Sequence, residues 1–125
     1  MNNISHKNTA INFLNLVTEG KIRDAYAKYA TESFIHHNPH FKGDRESLAV
    51  AMEENHKLFP NKVYTTKHVL EDGELVVVHG HVELVAGGKN AVVVHICRFE
   101  GDKIAELWDV GEVIPDDSPN ENGFF

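Results

Sequence analysis

The chain has 125 residues, 42% hydrophobic and 25% charged, with nineteen acidic side chains against twelve basic ones and a net charge of −7. That length provides for one core, hence one domain spanning 1–125, and the charge balance leaves no basic stripe for a phosphate backbone or an anionic membrane surface. Cys97 is the only cysteine, so an intrachain disulfide is excluded and a buried, inert thiol is expected. The first residues, Met1-Asn2-Asn3-Ile4, lack the apolar core of a signal peptide, and no apolar run approaches the length of a bilayer-spanning helix. By elimination, a cytoplasmic protein is expected.

The first half of the chain carries helical spacing. Ala10, Phe13, Leu14 and Val17 predict a first helix, stopped at Gly20. Ile22, Ala25, Tyr26 and Tyr29 predict a second after a very short turn. Ser33 to Asn38, closed by Pro39, is too short for a helix and reads as a brief extended piece entering a loop. Gly43-Asp44 offers an N-cap for a third helix with Leu48, Ala51, Met52, Leu58 and Phe59 on one face, ended by Pro60-Asn61.

The second half carries extended spacing. Strands are predicted over 63–70, 75–85, 91–99 and 104–113, with turns at Glu71-Asp72-Gly73-Glu74, Ala86-Gly87-Gly88-Lys89 and Gly101-Asp102. Helices followed by strands indicate an α+β fold: three N-terminal helices packed on a curved, four-to-six-stranded, mostly antiparallel sheet. Residues 115–125 read as a polar, flexible tail apart from Phe124-Phe125.

Certain residues and their order carry a resemblance. They are His37-Asn38-Pro39 after the second helix, His79-Gly80-His81-Val82 in the second long strand, Lys103 to Val110 in the last strand, and Asn122-Gly123-Phe124 at the end. With the order of elements, they resemble the SnoaL-like polyketide cyclases of the nuclear transport factor 2-like superfamily, over essentially the whole chain. The resemblance implies a cone closed on one side by helices around a small-molecule pocket. It also implies that Asp109 matches a catalytic aspartate that removes a proton from an acidic carbon before intramolecular aldol closure. His95 matches a histidine associated with that aspartate, and His37 and Asn38 fall where the family orients its substrate. Two departures stand out: relatives often have an acid at the position of His95, and the last turn usually reads Asn-Gly rather than Gly101-Asp102.

From the residues themselves, alternation puts Leu107, Asp109 and Gly111 on one face of the last strand and Ile104, Glu106, Trp108 and Val110 on the other. If the first face is the inner one, desolvation is expected to raise the pKa of Asp109 and make it a general base near neutral pH; the other reading turns it to solvent. His95 depends on the last turn. A two-residue turn pairs Val94 with Asp109 and sends His95 to the opposite face, whereas a three-residue turn with a bulge pairs His95 with Asp109. His79 and His81 share a face with Glu83, open to reading as a polar pocket wall, as metal ligands or as outward-facing side chains; the pocket wall is favoured, and no metal or organic cofactor is expected. Of the neighbours His36 and His37, His37 is the expected pocket member, with Asn38 beside it. Tyr26 and Phe13 are expected to line the pocket from the helices.

Two functions stay open at this point. One is a cofactor-independent acid–base enzyme, a cyclase or isomerase acting on a small carbonyl compound through Asp109 and His95. The other is a non-catalytic binding module for a small hydrophobic ligand; a metal enzyme using His79 and His81 is a weaker third. A homodimer through an outer patch of Ile104, Trp108 and Val110 is also expected.

Overall fold

A computed structural model describes residues 5–125. Helix α1 (His6–Thr18) starts where the Ser5 hydroxyl accepts from the Asn8 amide at 3.2 Å. It buries Thr9, Ala10, Phe13 and Leu14, one stripe of a 3.6-residue period. Its C-terminus closes with two backbone bonds, Gly20 N–H to Val17 O at 3.0 Å and Lys21 N–H to Leu16 O at 2.9 Å. That closure requires the left-handed backbone of Gly20, φ +85°. A Cβ here would also lie 2.4 Å from the His56 ring. Gly20 therefore both ends α1 and lets a later helix approach.

Helix α2 (Ile22–Tyr29) runs directly into strand β1 (Ala30–His36). Helix α3 (Arg45–Leu58) is capped by Asp44, whose carboxylate accepts from the Ser47 amide at 3.3 Å. Four strands follow: β2 (Val63–Asp72), β3 (Leu75–Glu83), β4 (Asn90–Glu100) and β5 (Lys103–Val113). The sheet order is β1-β5-β4-β3-β2. Strands β2 to β5 form the expected antiparallel meander. The short extended piece became a fifth strand, parallel to β5, with His36 opposite Leu107. This is the α+β architecture expected from the helix-then-strand order. Among the described residues, no helix is long and apolar enough to cross a membrane.

The core lies between the helices and the inner face of the sheet. Tyr26 is its hub, edge-on to Phe13 and to Phe34, each at 5.3 Å between ring centres. Arg45 ties the same region together, donating from Nη2 to the Tyr26 carbonyl and from Nε to the Thr31 carbonyl. Cys97 is fully buried and its thiol pKa is pushed up to about 12 by that burial, which keeps it protonated and unreactive.

One irregularity sets the facing of β5. The hairpin at Gly101-Asp102 is a two-residue turn, pairing Glu100 with Lys103 and Phe99 with Ile104. The next pair is Arg98 with Glu106, so Ala105 is an extra residue, a β-bulge. From there on, Cys97 faces Leu107 and His95 faces Asp109. The register expected from a longer turn is thus produced by a bulge within the strand. The bulge also corrects the expected outer patch. Ile104 is buried in the core with Ala105 and Leu107, because the alternation breaks between them. Trp108 and Val110 stay on the outer face, where alternation along β4 adds Val92, Val94 and Ile96.

Replacing Gly20 with alanine forces a β-carbon into the left-handed region and against His56. The expected cost is about 1–3 kcal/mol, read as a lower denaturation midpoint with unchanged slope.

Candidate active site

A cavity of about 300 Å³ opens between α1, α3, the β1–α3 loop and the inner face of the sheet. Its wall is mostly aliphatic, with Leu14, Val17, Leu48, Val82 and Val93 contributing. Two polar groupings interrupt it. One is formed by Asn38, His95 and Asp109, the other by Asn55, Lys62 and Tyr64.

In the first grouping, Asp109 Oδ1 lies 3.1 Å from His95 Nε2, and Oδ2 accepts from Asn38 Nδ2 at 2.9 Å. The side chains of His95 and Asp109 retain 12% and 23% exposure, enough to touch a ligand yet too little for full hydration. Asn38 is oriented by its own loop: its Oδ1 accepts from the His40 amide at 3.0 Å, which leaves the amino group to point at Asp109. The Asn38 amide in turn donates to His36 Nδ1 at 3.1 Å. An accepting Nδ1 places the His36 proton on Nε2, 3.3 Å from the Ser47 hydroxyl. Burial lowers the His36 pKa, against the pull of Asp109 and Asp44, which suits this neutral form.

The Asp109 carboxylate departs from the expected pKa direction. Burial is the largest single influence and would raise its pKa, but the His95 hydrogen bond and charge together with the Asn38 bond outweigh it. The net pKa is lowered from 3.8. Asp109 is therefore ionised throughout the neutral range. His95 Nδ1 is buried with no hydrogen-bond partner among the described residues. The His95 Nε2–H is the group that faces Asp109 and donates to the carboxylate. The pair holds an anionic oxygen, with free lone pairs, against an apolar wall.

Several expected site residues lie elsewhere. His37 is on the outer face, stacked on Trp108 at 4.9 Å and bonded to Glu106 at 2.6 Å. Its neighbour His36 is the inward member, because β1 alternates from Phe34, which packs in the core. His79 and His81 also face outward, since Val76 and Val78 occupy the inner face of β3. His79 Nδ1 meets His68 Nδ1 at 2.9 Å, and His81 lies 3.0 Å from Asn90 Oδ1. Phe125 of the tail rests against both rings. Among the described residues, no three His, Cys, Asp or Glu side chains converge as a metal site. Tyr26 and Phe13 are buried in the core beneath the cavity, where helical packing rather than ligand contact occupies them.

The residues that sequence reasoning missed are Asn55, Lys62 and Tyr64 on the cavity wall and His36 behind Asn38. Tyr64 lies across Gly80, where a Cβ would meet the ring at 2.5 Å, so this glycine makes room for the aromatic wall. Only His36 carried a readable signal, its two-residue spacing from Phe34.

The SnoaL-like domain profile matches residues 10–107. Solved structures share the fold at low identity. A candidate polyketide cyclase from Acidithiobacillus ferrooxidans is 19% identical with TM-score 0.71, covering 90% of this chain and 92% of its own. IdmH, a candidate polyketide cyclase from Streptomyces antibioticus, is 14% identical with TM-score 0.73, covering 87% and 93%. An NTF2-like protein of unknown function from Cytophaga hutchinsonii is 17% identical with TM-score 0.69, covering 89% and 93%. No curated protein sequence matches the chain significantly.

Asn38→Ala removes one of the two side-chain donors that hold the Asp109 pKa down, so it is expected to rise. Carbon-detected NMR titration of the carboxyl group reads the shift. The depressed pKa contributes stability above the unfolded value of 3.8, lost as pH falls through the folded value. The variant should lose part of that contribution.

Proposed function

The chain belongs to the SnoaL-like domain family, and from that premise we propose a cofactor-independent acid–base enzyme acting on a small, largely apolar carbonyl compound. The observation that carries this reading is an ionised carboxylate, paired with an imidazole, on the wall of an apolar cavity of about 300 Å³. Asp109 is the base. A proton leaves an acidic carbon for a carboxylate oxygen, and the electron pair of the C–H bond passes into the adjacent carbonyl as an enolate. In a cyclase the enolate carbon then attacks a second carbonyl of the same molecule, and the new alkoxide takes the proton back from Asp109. In an isomerase the proton returns to a different carbon. His95 and Asn38 fix the carboxylate between them, so little reorganisation accompanies proton transfer.

The lowered pKa narrows the substrate class. A weakly basic carboxylate is best matched by an acidic carbon, such as one flanked by two electron-withdrawing carbonyl groups.

A second reading draws on the same hydrogen bonds. They tie the β1–α3 loop to β5, and a carboxylate that is both satisfied and weakly basic also suits a non-catalytic ligand-binding module. Keto–enol conversion of benzoylacetone, followed by ultraviolet absorbance, separates the two. Acceleration by the parent, reduced by about 10²–10⁴-fold in Asp109→Asn, is the expected outcome. Equal rates in parent and variant would sink the acid–base reading.

We also propose a homodimer through the outer sheet face, where Val92, Val94, Ile96, Trp108 and Val110 alternate outward. An apolar sheet face of this kind is stabilised by a partner. Val94→Asp would bury a charge at its centre and is expected to yield monomers in sedimentation velocity, whereas a parent that is already monomeric would contradict the assignment.

A further inference from the structure

Lys62 precedes β2 directly, after the turn that ends α3, and its side chain lines the cavity. Its Nζ donates to Asn55 Oδ1 at 2.6 Å, from the last turns of α3. The side chain is half-buried, and burial lowers its pKa with no acidic neighbour opposing the shift. Among the described residues, no carboxylate lies within ion-pair distance of it. Lys62 is, among the described residues, the one lysine or arginine side chain on the wall of this cavity. Arg23 is clasped by Glu46 and Glu53, and Arg98 by Glu100 and Glu106. Lys62 alone among these cations faces an apolar cavity with a single neutral acceptor.

An ammonium carries three donors, and a half-buried one with a single partner is under-satisfied. A ligand that supplies an anion completes it. We propose that Lys62, held by Asn55, anchors a carboxylate of the ligand, so that the cavity takes a small organic acid with an apolar body. The charge count selects a monoanion: one ammonium stands here, and no arginine fork lines the cavity for a phosphate. Position supports the pairing. Val63 lies in register with Glu83 and thence Asn90, while His95 is five residues further along β4. At the rise of a strand that separation is roughly 17 Å along the backbone, so Lys62 and Asp109 enter the cavity wall from different positions along the sheet. Asp109 repels an anion and Lys62 attracts one, and a keto acid is thereby oriented with its carbonyl end toward Asp109. The carbonyl half of this assignment rests on the acid–base reading; the carboxylate half does not.

The test compares 2-naphthoate with its neutral near-isostere 2-acetylnaphthalene by ligand-observed NMR titration. The parent is expected to bind the carboxylate at least about tenfold more tightly than the ketone. Lys62→Met should abolish that preference, and Lys62→Arg should preserve it. Equal affinities in the parent, or an unchanged preference in Lys62→Met, would overturn the anchor. An equal loss of both ligands in Lys62→Met, together with a preference lost in Lys62→Arg, would also overturn it in favour of a packing role. The readout is binding, so it fails separately from the catalytic reading. Turnover retained in Asp109→Asn leaves the anchor standing, whereas turnover lost there with no carboxylate preference in the parent removes the anchor alone.

Discussion

The bulge at Ala105 is the constraint on which the site depends. Side chains alternate along a strand, so one inserted residue exchanges the two faces for everything beyond it. Before the bulge, Ile104 points into the core; after it, Leu107 does so, and Asp109 follows on the same side. Without that insertion the two-residue turn would have paired Val94 with Asp109. The bulge also governs the outer face, because it assigns Glu106 and Trp108 there, where they engage His37.

A second physical competition decides the chemistry of Asp109. Burial and hydrogen bonding act on a carboxylate in opposite senses, and here the bonds win. Each of its two oxygens has one protein partner, so the group is held in place without being saturated. The relay that aims Asn38 begins at His36, a histidine buried by the alternation of β1, and passes through one backbone amide. The geometry of the carboxylate is thus supported from two sides, by the sheet through His95 and by the β1–α3 loop through Asn38.

The sheet divides these histidines between its two faces. His36 and His95 stand on the inner side, with His95 on the cavity wall. His37, His68, His79 and His81 lie outside, stacked on one another, on Trp108 or on Phe125. The nine histidines of the chain are thus not gathered at one pocket.

Periodicity alone determined the three helices, the four meander strands and their turns, because each depends on local spacing and turn chemistry. Gly20 as a stop and Asp44 as a cap were legible for the same reason. The motif around Asp109 was legible through resemblance. Tertiary structure alone decided which side of the sheet each polar residue occupies. Ala105 carries no local signal for a bulge, and the pairing of β1 with β5 joins segments about seventy residues apart. The direction of the Asp109 pKa needed Asn38 from another element, and the position of Lys62 in the cavity needed the approach of α3 to the sheet. These are long-range facts, set by how separate elements pack, and no window of the sequence contains both partners.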